Sequence, residues 1–277
     1  MTQPSEPPEA LDALLDRMWR DYTELNPQAR QIYELFVEQG EQVVNDHIAL
    51  RTFDLPAVSI EVLAKPFVRS GYQPKGEYEF PIKKLFARHY EHPEADRPKV
   101  FISQLDVAAL PPDGQAIIER LVAAVDPAAT QRLDFCCSGR PWNLSFDEYR
   151  RLAGVSEYAG WLAAIGYRPN HFTVLVNALE RFPSLESVNQ LLEGRGFLLN
   201  DSGGKIKGSP TALLEQSSVR AGEIDVDFSD GAHRVPGCYY EFARRYPQPD
   251  GSLYPGFIAA SADRIFESTD RAAPAIS

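Results

Sequence analysis

The stretch VVNDHIALRTF, residues 43–53, decides the fold. β-Branched residues recur through it with polar interruptions, which is the make-up of a strand. Downstream, Val58, Ile60, Val62, Leu63, Phe67 and Val68 fall at the three- and four-residue spacing of an amphipathic helix, which Gly71-Tyr72 ends. Three short β-like runs follow, YQPKGEYEF, KLFARHYEH and KVFISQL, separated by Pro, Lys and acidic turn material. Residues 43–105 therefore read β-α-β-β-β.

The same order returns later. NHFTVLVNAL (170–179) is strand-like, SLESVNQLLEGRGF (184–197) is helical and ends in Gly196-Phe197, and β-like stretches follow at about 198–207, 213–228 and 237–244. His47 precedes Gly71 by 24 residues and His171 precedes Gly196 by 25, so each copy sets a histidine near the start of its first strand. The fold expected is α+β, with two βαβββ modules at 43–110 and 169–277, the latter carrying a C-terminal segment. Their sheets are expected to face each other across a metal-containing cleft. Two helical parts complete the chain. Residues 1–42 carry Leu11, Leu14, Leu15, Met18, Trp19 and Tyr22 at helical spacing, then Ile32, Leu35 and Phe36 after a break at Asn26-Pro27. Residues 111–168 are broken at Asp126-Pro127 and Gly139-Arg140-Pro141, and their Trp142, Phe146, Tyr149 and Trp161 suggest a packed subdomain or cover.

Composition narrows the function. A length of 277 residues with 44% hydrophobic content supports a well-packed core. A formal charge of -11 repels phosphate backbones, and the 28 basic residues form no stripe, so nucleic acid is not expected as a partner. The Pro-rich opening, residues 1–8, lacks the basic start and apolar run of a signal peptide, and no uncharged stretch approaches the ~18 residues that span a bilayer. The expectation is a cytoplasmic protein with no membrane partner and with Cys136, Cys137 and Cys238 reduced.

Five histidines are available. His89 and His92 flank Glu91 in a charged strand end where exposure is expected, and His233 lies in the turn-like SDGAHRVPG. His47 and His171 occupy matching places in the two copies. Glu241, in GCYYEFARR, shares one strand face with Tyr239 and Ala243 while Cys238, Tyr240 and Phe242 take the other. A carboxylate among aromatics is costly unless paired or metal-bound. Salt bridging to Arg244 or Arg245 is the alternative. Two histidines and one carboxylate with the remaining positions open form the facial triad of non-haem ferrous enzymes. Arg51 follows His47 by four, on the same face and ~13 Å along, where its planar fork suits the carboxylate of a short acid; pairing with Asp54 or Glu61 is the alternative. GGKIKGSPTALLEQSS (203–218) lacks the order of a phosphate-binding loop and reads as loop and strand lining the cleft, with Gln216 and Ser217 as candidate substrate-binding residues.

At VNDHIALRTF, NHFTVLVN, GGKIKGSP with LLEQSS, CYYEFARR and FIAASADRIFEST, the chain resembles the 2-oxoadipate dioxygenase/decarboxylases, a family related to the vicinal-oxygen-chelate fold. The resemblance spans about residues 44–269. It implies that His47, His171 and Glu241 bind Fe(2+) and that Arg51 contacts the substrate. It also implies that a 2-oxo acid and O2 give 2-hydroxyglutarate and CO2 in lysine breakdown, with no separate 2-oxoglutarate. Two other functions use the same cleft: a glyoxalase-like lyase or isomerase with another divalent metal and no oxygen, and a non-catalytic small-molecule binding module.

Overall fold

A computed structural model describes residues 8–269. The Pro-rich opening on which the absence of a leader was argued lies outside the described residues, apart from Pro8, as do residues 270–277. The chain begins with α1 (Pro8–Leu25) and α2 (Pro27–Glu38), separated where Asn26 meets a proline that suits a first helical turn.

The first module is as expected: β1 (Asn45–Phe53), α3 (Ile60–Arg69), β2 (Gln73–Phe80), β3 (Leu85–Glu91) and β4 (Lys99–Leu105). Next come α4 (Pro112–Ala123), α5 (Phe146–Val155) and α6 (Glu157–Ile165). The second module runs β5 (Pro169–Leu175), α7 (Leu185–Gly194), β6 (Lys207–Ser209), β7 (Leu214–Ser218), β8 (Glu223–Phe228), β9 (Gly231–Pro236) and β10 (Tyr239–Arg245), followed by α8 (Ala259–Phe266). The two module helices end alike. Gly71 and Gly196 adopt φ of 101° and 85°, where a Cβ would be strained, and the next N–H in each case closes on a carbonyl five residues back, Tyr72 on Phe67 and Phe197 on Leu192, both at 3.0 Å.

As expected of paired modules forming a cleft, the sheets of the two halves join edge to edge and curl together. They form one eight-stranded sheet in the order β2-β3-β4-β1-β5-β10-β7-β6. β1 pairs in parallel with β4, β5 in parallel with β10, and β1 with β5 antiparallel, so the halves are arranged about the β1–β5 seam as pseudo-symmetric copies. The reason is that every interior strand has two hydrogen-bonding edges; once β4 and β10 take one edge of β1 and β5, the remaining edges pair with each other.

Two strand expectations in the second module change. Residues 198–207 are not a strand, because Gly203 and Gly204 turn the chain at positive φ and Leu199 makes only an isolated bridge to Val219. Residues 213–228 split after Ser218: β7 stays in the main sheet, whereas β8, which alternates acidic and apolar residues, pairs with β9 in a separate ribbon. His233 therefore lies on β9, stacked 3.8 Å from Phe146, and not in a turn.

One sheet face packs against the N-terminal helices, with Trp19 and Tyr22 each 5.0 Å from Phe172 and Phe36 6.2 Å from Phe242. Strand alternation then turns His47, Arg51, His171 and Glu241 to the opposite face. There α6 packs, with the Tyr158 hydroxyl donating to the Ser103 carbonyl at 2.7 Å. Of the helical section 111–168, α6 packs on this face, with Arg51 against Tyr158 and Trp161 at 4.8 and 4.9 Å.

Candidate metal centre

His47, His171 and Glu241 come from three adjacent central strands. The β5–β10 register sets Tyr239 opposite His171 and Glu241 opposite Thr173, and the β1–β5 seam sets His47 opposite Thr173. One potential ligand atom from each of the three residues lies within 4.8 Å of the others. His171 Nε2 is 3.2 Å from Glu241 Oε2, and His47 Nε2 is 3.6 Å from Oε1. All three side chains are buried.

The backbone does something here that alternation does not foretell. The β1–β5 ladder shifts register between Asn45 and His47 and again between Ala49 and Leu50, where β5 steps from His171 to Pro169. Asp46 and Asn170 are thus the extra residues of two bulges, which turn each side chain toward the histidine that follows it. Asp46 Oδ1 lies 2.7 Å from His47 Nδ1 and Asn170 Oδ1 lies 3.1 Å from His171 Nδ1. An Nδ1–H donated outward leaves the Nε2 lone pair facing inward, as a metal-ligating imidazole requires.

The carboxylate is held in the same manner. Gln216 Nε2 donates to Glu241 Oε1 at 2.6 Å, while Oε2, fully buried, has no hydrogen-bond partner among the described residues. Burial pushes Glu241 up to about 8, despite the Gln216 hydrogen bond that favours its charged form. Burial also lowers both histidines, His171 well below the usual imidazole value with His47 and Arg51 adding to the effect, and His47 less because Asp46 opposes the shift. Once Glu241 is ionised, two inward lone pairs and a carboxylate oxygen 3.2 Å from one of them are acceptors crowded together, with the Thr173 hydroxyl 3.1 Å from His47 Nε2 as a neighbouring donor, and a cation between them offsets the cost of that crowding. The donor set and the orphaned oxygen fit a divalent metal ion.

Pseudo-symmetry explains why there are three donors and not four. His47 aligns with Lys99 on β4 as His171 aligns with Tyr239 on β10, so the position matching Glu241 in the first half is Phe101. A benzyl group stands where a second carboxylate would complete the set. Phe101 and Phe257, 4.9 Å apart, close the site together with Ala262 and Ile265 around a cavity of about 20 Å³.

Asp46 is itself anchored. Burial alone would raise its carboxyl, but Arg245 forks it at 2.6 and 2.8 Å and His47 adds a hydrogen bond, so it stays far below the ordinary carboxylate range. Arg245 also donates to the Tyr254 and Gly256 carbonyls, both at 2.8 Å, tying down the segment that carries Phe257. The sequence alternative of a Glu241–Arg245 bridge gives way to this Asp46–Arg245 pair.

Arg51 is buried and not an exposed partner of Asp54 or Glu61. Its Nη1 is 3.0 Å from Glu157 Oε1, its Nη2 donates to Thr269 Oγ1 at 3.3 Å, and Tyr158 and Trp161 lie against the guanidinium at 4.8 and 4.9 Å. Gln216 joins the triad, but Ser217, one residue on, projects from the other face and donates to Asn189 Oδ1 at 2.9 Å, away from the site. His89 is buried, contrary to its expected exposure, between Tyr78 (2.9 Å) and Glu91 (3.0 Å). Neither His89 nor His92 nor His233 joins a metal-ligating cluster among the described residues. The three cysteines are free and buried. Sequence reasoning missed Asp46, Asn170, Arg245, Phe101, Phe257 and Glu157. The one available signal was the polar residue immediately before each paired histidine.

Comparison with known proteins bears on all of this. A family model described as 2-oxoadipate dioxygenase/decarboxylase matches residues 10–252. The rice 2-oxoadipate dioxygenase/decarboxylase of the chloroplast and amyloplast is 33% identical over 96% of this chain and 83% of its own. Among solved structures, rice hydroxyglutarate synthase in complex with 2-oxoadipate superposes with a TM-score of 0.89 at 33% identity, covering 98% and 97% of the two chains. A Shewanella frigidimarina protein described as a hydrolase does so at 0.86 and 50% identity, covering 90% and 97%. A Ralstonia eutropha glyoxalase-superfamily protein, at 0.70 and 20% identity over 92% and 90%, shares the fold, which agrees with the vicinal-oxygen-chelate architecture expected from the paired modules. No helix among the described residues is long and apolar enough to cross a membrane. With the family model aligned from near the start of the chain to beyond the last triad residue, and a named relative one-third identical along nearly all of it, this chain belongs to the 2-oxoadipate dioxygenase/decarboxylase family.

Proposed function

We propose that this enzyme holds ferrous iron through His47, His171 and Glu241 and, in the cytoplasm, converts 2-oxoadipate or a close 2-oxo acid with O2 to 2-hydroxyglutarate and CO2, a step of lysine breakdown. The observation that carries the reading is the convergence of two outward-held imidazoles and an orphaned carboxylate oxygen in a buried pocket, in a chain matching a rice structure named for its complex with 2-oxoadipate. Ferrous iron, when bound, supplies the one-electron chemistry that dioxygen needs, with positions open for a chelating 2-oxo acid. The balance is one diacid and one O2 in, with the carboxyl carbon leaving as CO2 and the two oxygen atoms retained in the new carboxylate and hydroxyl.

The chain's own residues do the rest. Gln216 fixes the carboxylate's orientation, Asp46 and Asn170 fix the imidazole tautomers, and Phe101 and Phe257 keep bulk water off the donors. Arg51 binds the far carboxylate of the substrate. Oxygen uptake decides the reading: the ferrous protein consumes O2 and evolves CO2 with 2-oxoadipate, and a protein that does neither is a lyase, isomerase, hydrolase or binding module instead. In Arg51→Ala the KM for 2-oxoadipate rises about 10- to 100-fold, as expected for loss of a charge-assisted fork, while metal content is unchanged.

Metal uptake carries a pH signature. At pH 7 both histidines are already neutral, so they release no proton, whereas Glu241, pushed up to about 8, must give one up. Binding of a divalent ion at pH 7 therefore releases about one proton, and affinity rises with pH until about 8 and then levels off. Calorimetry in buffers of different ionisation enthalpy measures this; release of none, or of two, contradicts it.

A further inference from the structure

Arg51 already holds a carboxylate. With Tyr158 and Trp161 against its faces, the guanidinium offers an anion its rim of N–H groups, and on that rim Glu157 Oε1 sits 3.0 Å from Nη1 and Thr269 accepts from Nη2. Glu157 opens α6 directly after Ser156, whose hydroxyl accepts from the Ala159 N–H, so its backbone is fixed. Its side chain is not buried to match: it is 29% exposed where that of Arg51 is 1% exposed, and it lines a cavity of about 490 Å³ together with Tyr149, Arg150, Trp161 and Thr269. Glu157 thus faces open space on one side and Arg51 on the other.

From this geometry we infer that Glu157 is an affinity- and specificity-setting residue, an internal carboxylate that occupies the place on Arg51 taken by the distal carboxylate of a dicarboxylic 2-oxo acid. The inference rests on Arg51 being the substrate's anchor. A diacid replaces one carboxylate by another, and Glu157 turns outward into the cavity, where water solvates it. A 2-oxo acid with an apolar end has nothing to exchange and leaves the Arg51–Glu157 pair shut. The pair also keeps Arg51 neutralised in the free enzyme, so small anions that cannot also chelate through a 2-oxo group gain little by entering.

Glu157→Gln tests this, since an amide keeps the size and a hydrogen-bond acceptor but competes more weakly for the guanidinium. The expected result is a KM for 2-oxoadipate lowered about three- to tenfold with kcat nearly unchanged, and a KM for the monocarboxylate 2-oxohexanoate that does not fall. The anaerobic Kd of 2-oxoadipate by calorimetry drops by the same factor, metal content is unchanged, and Glu157→Asp, which keeps the charge, stays near the parent enzyme. A KM for 2-oxoadipate that is unchanged or raised overturns the inference, and so does an equal gain for both acids. Glu157→Ala is made alongside it; loss of folding in both variants assigns Glu157 a structural role and also overturns it. If Arg51→Ala leaves the KM for 2-oxoadipate unaltered, the anchor reading has failed. If Arg51→Ala raises that KM and Glu157→Gln does not lower it, only the role of Glu157 has failed.

Discussion

Glu241→Ala is expected to yield a folded protein that retains almost no metal after ferrous loading and turns over at least about 10³-fold more slowly, a barrier increase of about 4 kcal/mol. Removing a group that only orients a ligand costs about 10- to 100-fold in metal affinity, and Glu241 is the sole anionic member of the cluster. Stability is expected to move the other way or not at all. The carboxyl is pushed up to about 8 by burial, so the folded state above its unfolded value near 4.5 carries a desolvation cost that grows until about pH 8; the variant sheds that cost, at the expense of an unanswered Gln216 amide. Metal content by elemental analysis, oxygen uptake, and melting temperature of the metal-free protein at pH 8 are the measurements. A variant that still binds one ion tightly would sink the assignment of Glu241. A metal-free variant that melts far below the parent would show that the carboxylate serves the fold instead.

The second large effect falls on a residue outside the triad. Arg245→Ala strands Asp46 as a buried carboxylate with only His47 beside it, and losing one partner of such a pair costs about 3–5 kcal/mol. The same change frees the Tyr254 and Gly256 carbonyls and loosens Phe257 over the triad, so metal affinity is expected to fall about 10- to 100-fold in addition. The sign with pH follows from Asp46. Its folded pKa is depressed, so its contribution is present above the unfolded value near 3.8 and is lost as pH falls toward the folded value. Urea unfolding of the metal-free parent should therefore show this loss below about pH 4, and Arg245→Ala should lack it. A double variant, Asp46→Asn with Arg245→Met, leaves no buried charge unpaired and is expected to recover part of the stability. If Arg245→Ala unfolds within about 1 kcal/mol of the parent, the Asp46–Arg245 pair does not contribute the stability assigned to it.

Much of this protein is legible in one dimension because the relevant signals are local. The module order follows from strand and helix periodicity between residues 43 and 105, and its recurrence from two Gly-aromatic helix ends that close with the same 3.0 Å hydrogen bond. The alternation in YYEFARR turns Glu241 away from Tyr240 and Phe242, as strand geometry requires. Five histidines made it possible to single out a corresponding pair, and the structure brings that pair and Glu241 together.

Tertiary structure alone decided the rest. Nothing in residues 43–53 says that β1 will spend its second edge on β5, because every strand carries the same backbone donors and acceptors and partner choice is settled by the whole sheet. One residue of register separates Gln216, on the triad, from Ser217, on the far face, and one extra residue in each of two bulges turns Asp46 and Asn170 toward the histidines that follow them. Arg51 finds Glu157 at a separation of 106 residues, and Phe101 is recognisable as the missing fourth donor only when the two halves are laid in register. The sequence by itself determined which elements form and which side chains have the chemistry to hold a metal. Which of those side chains meet, and what surrounds them, depended on register and long-range pairing, where a shift of a single residue reverses the face a side chain sees.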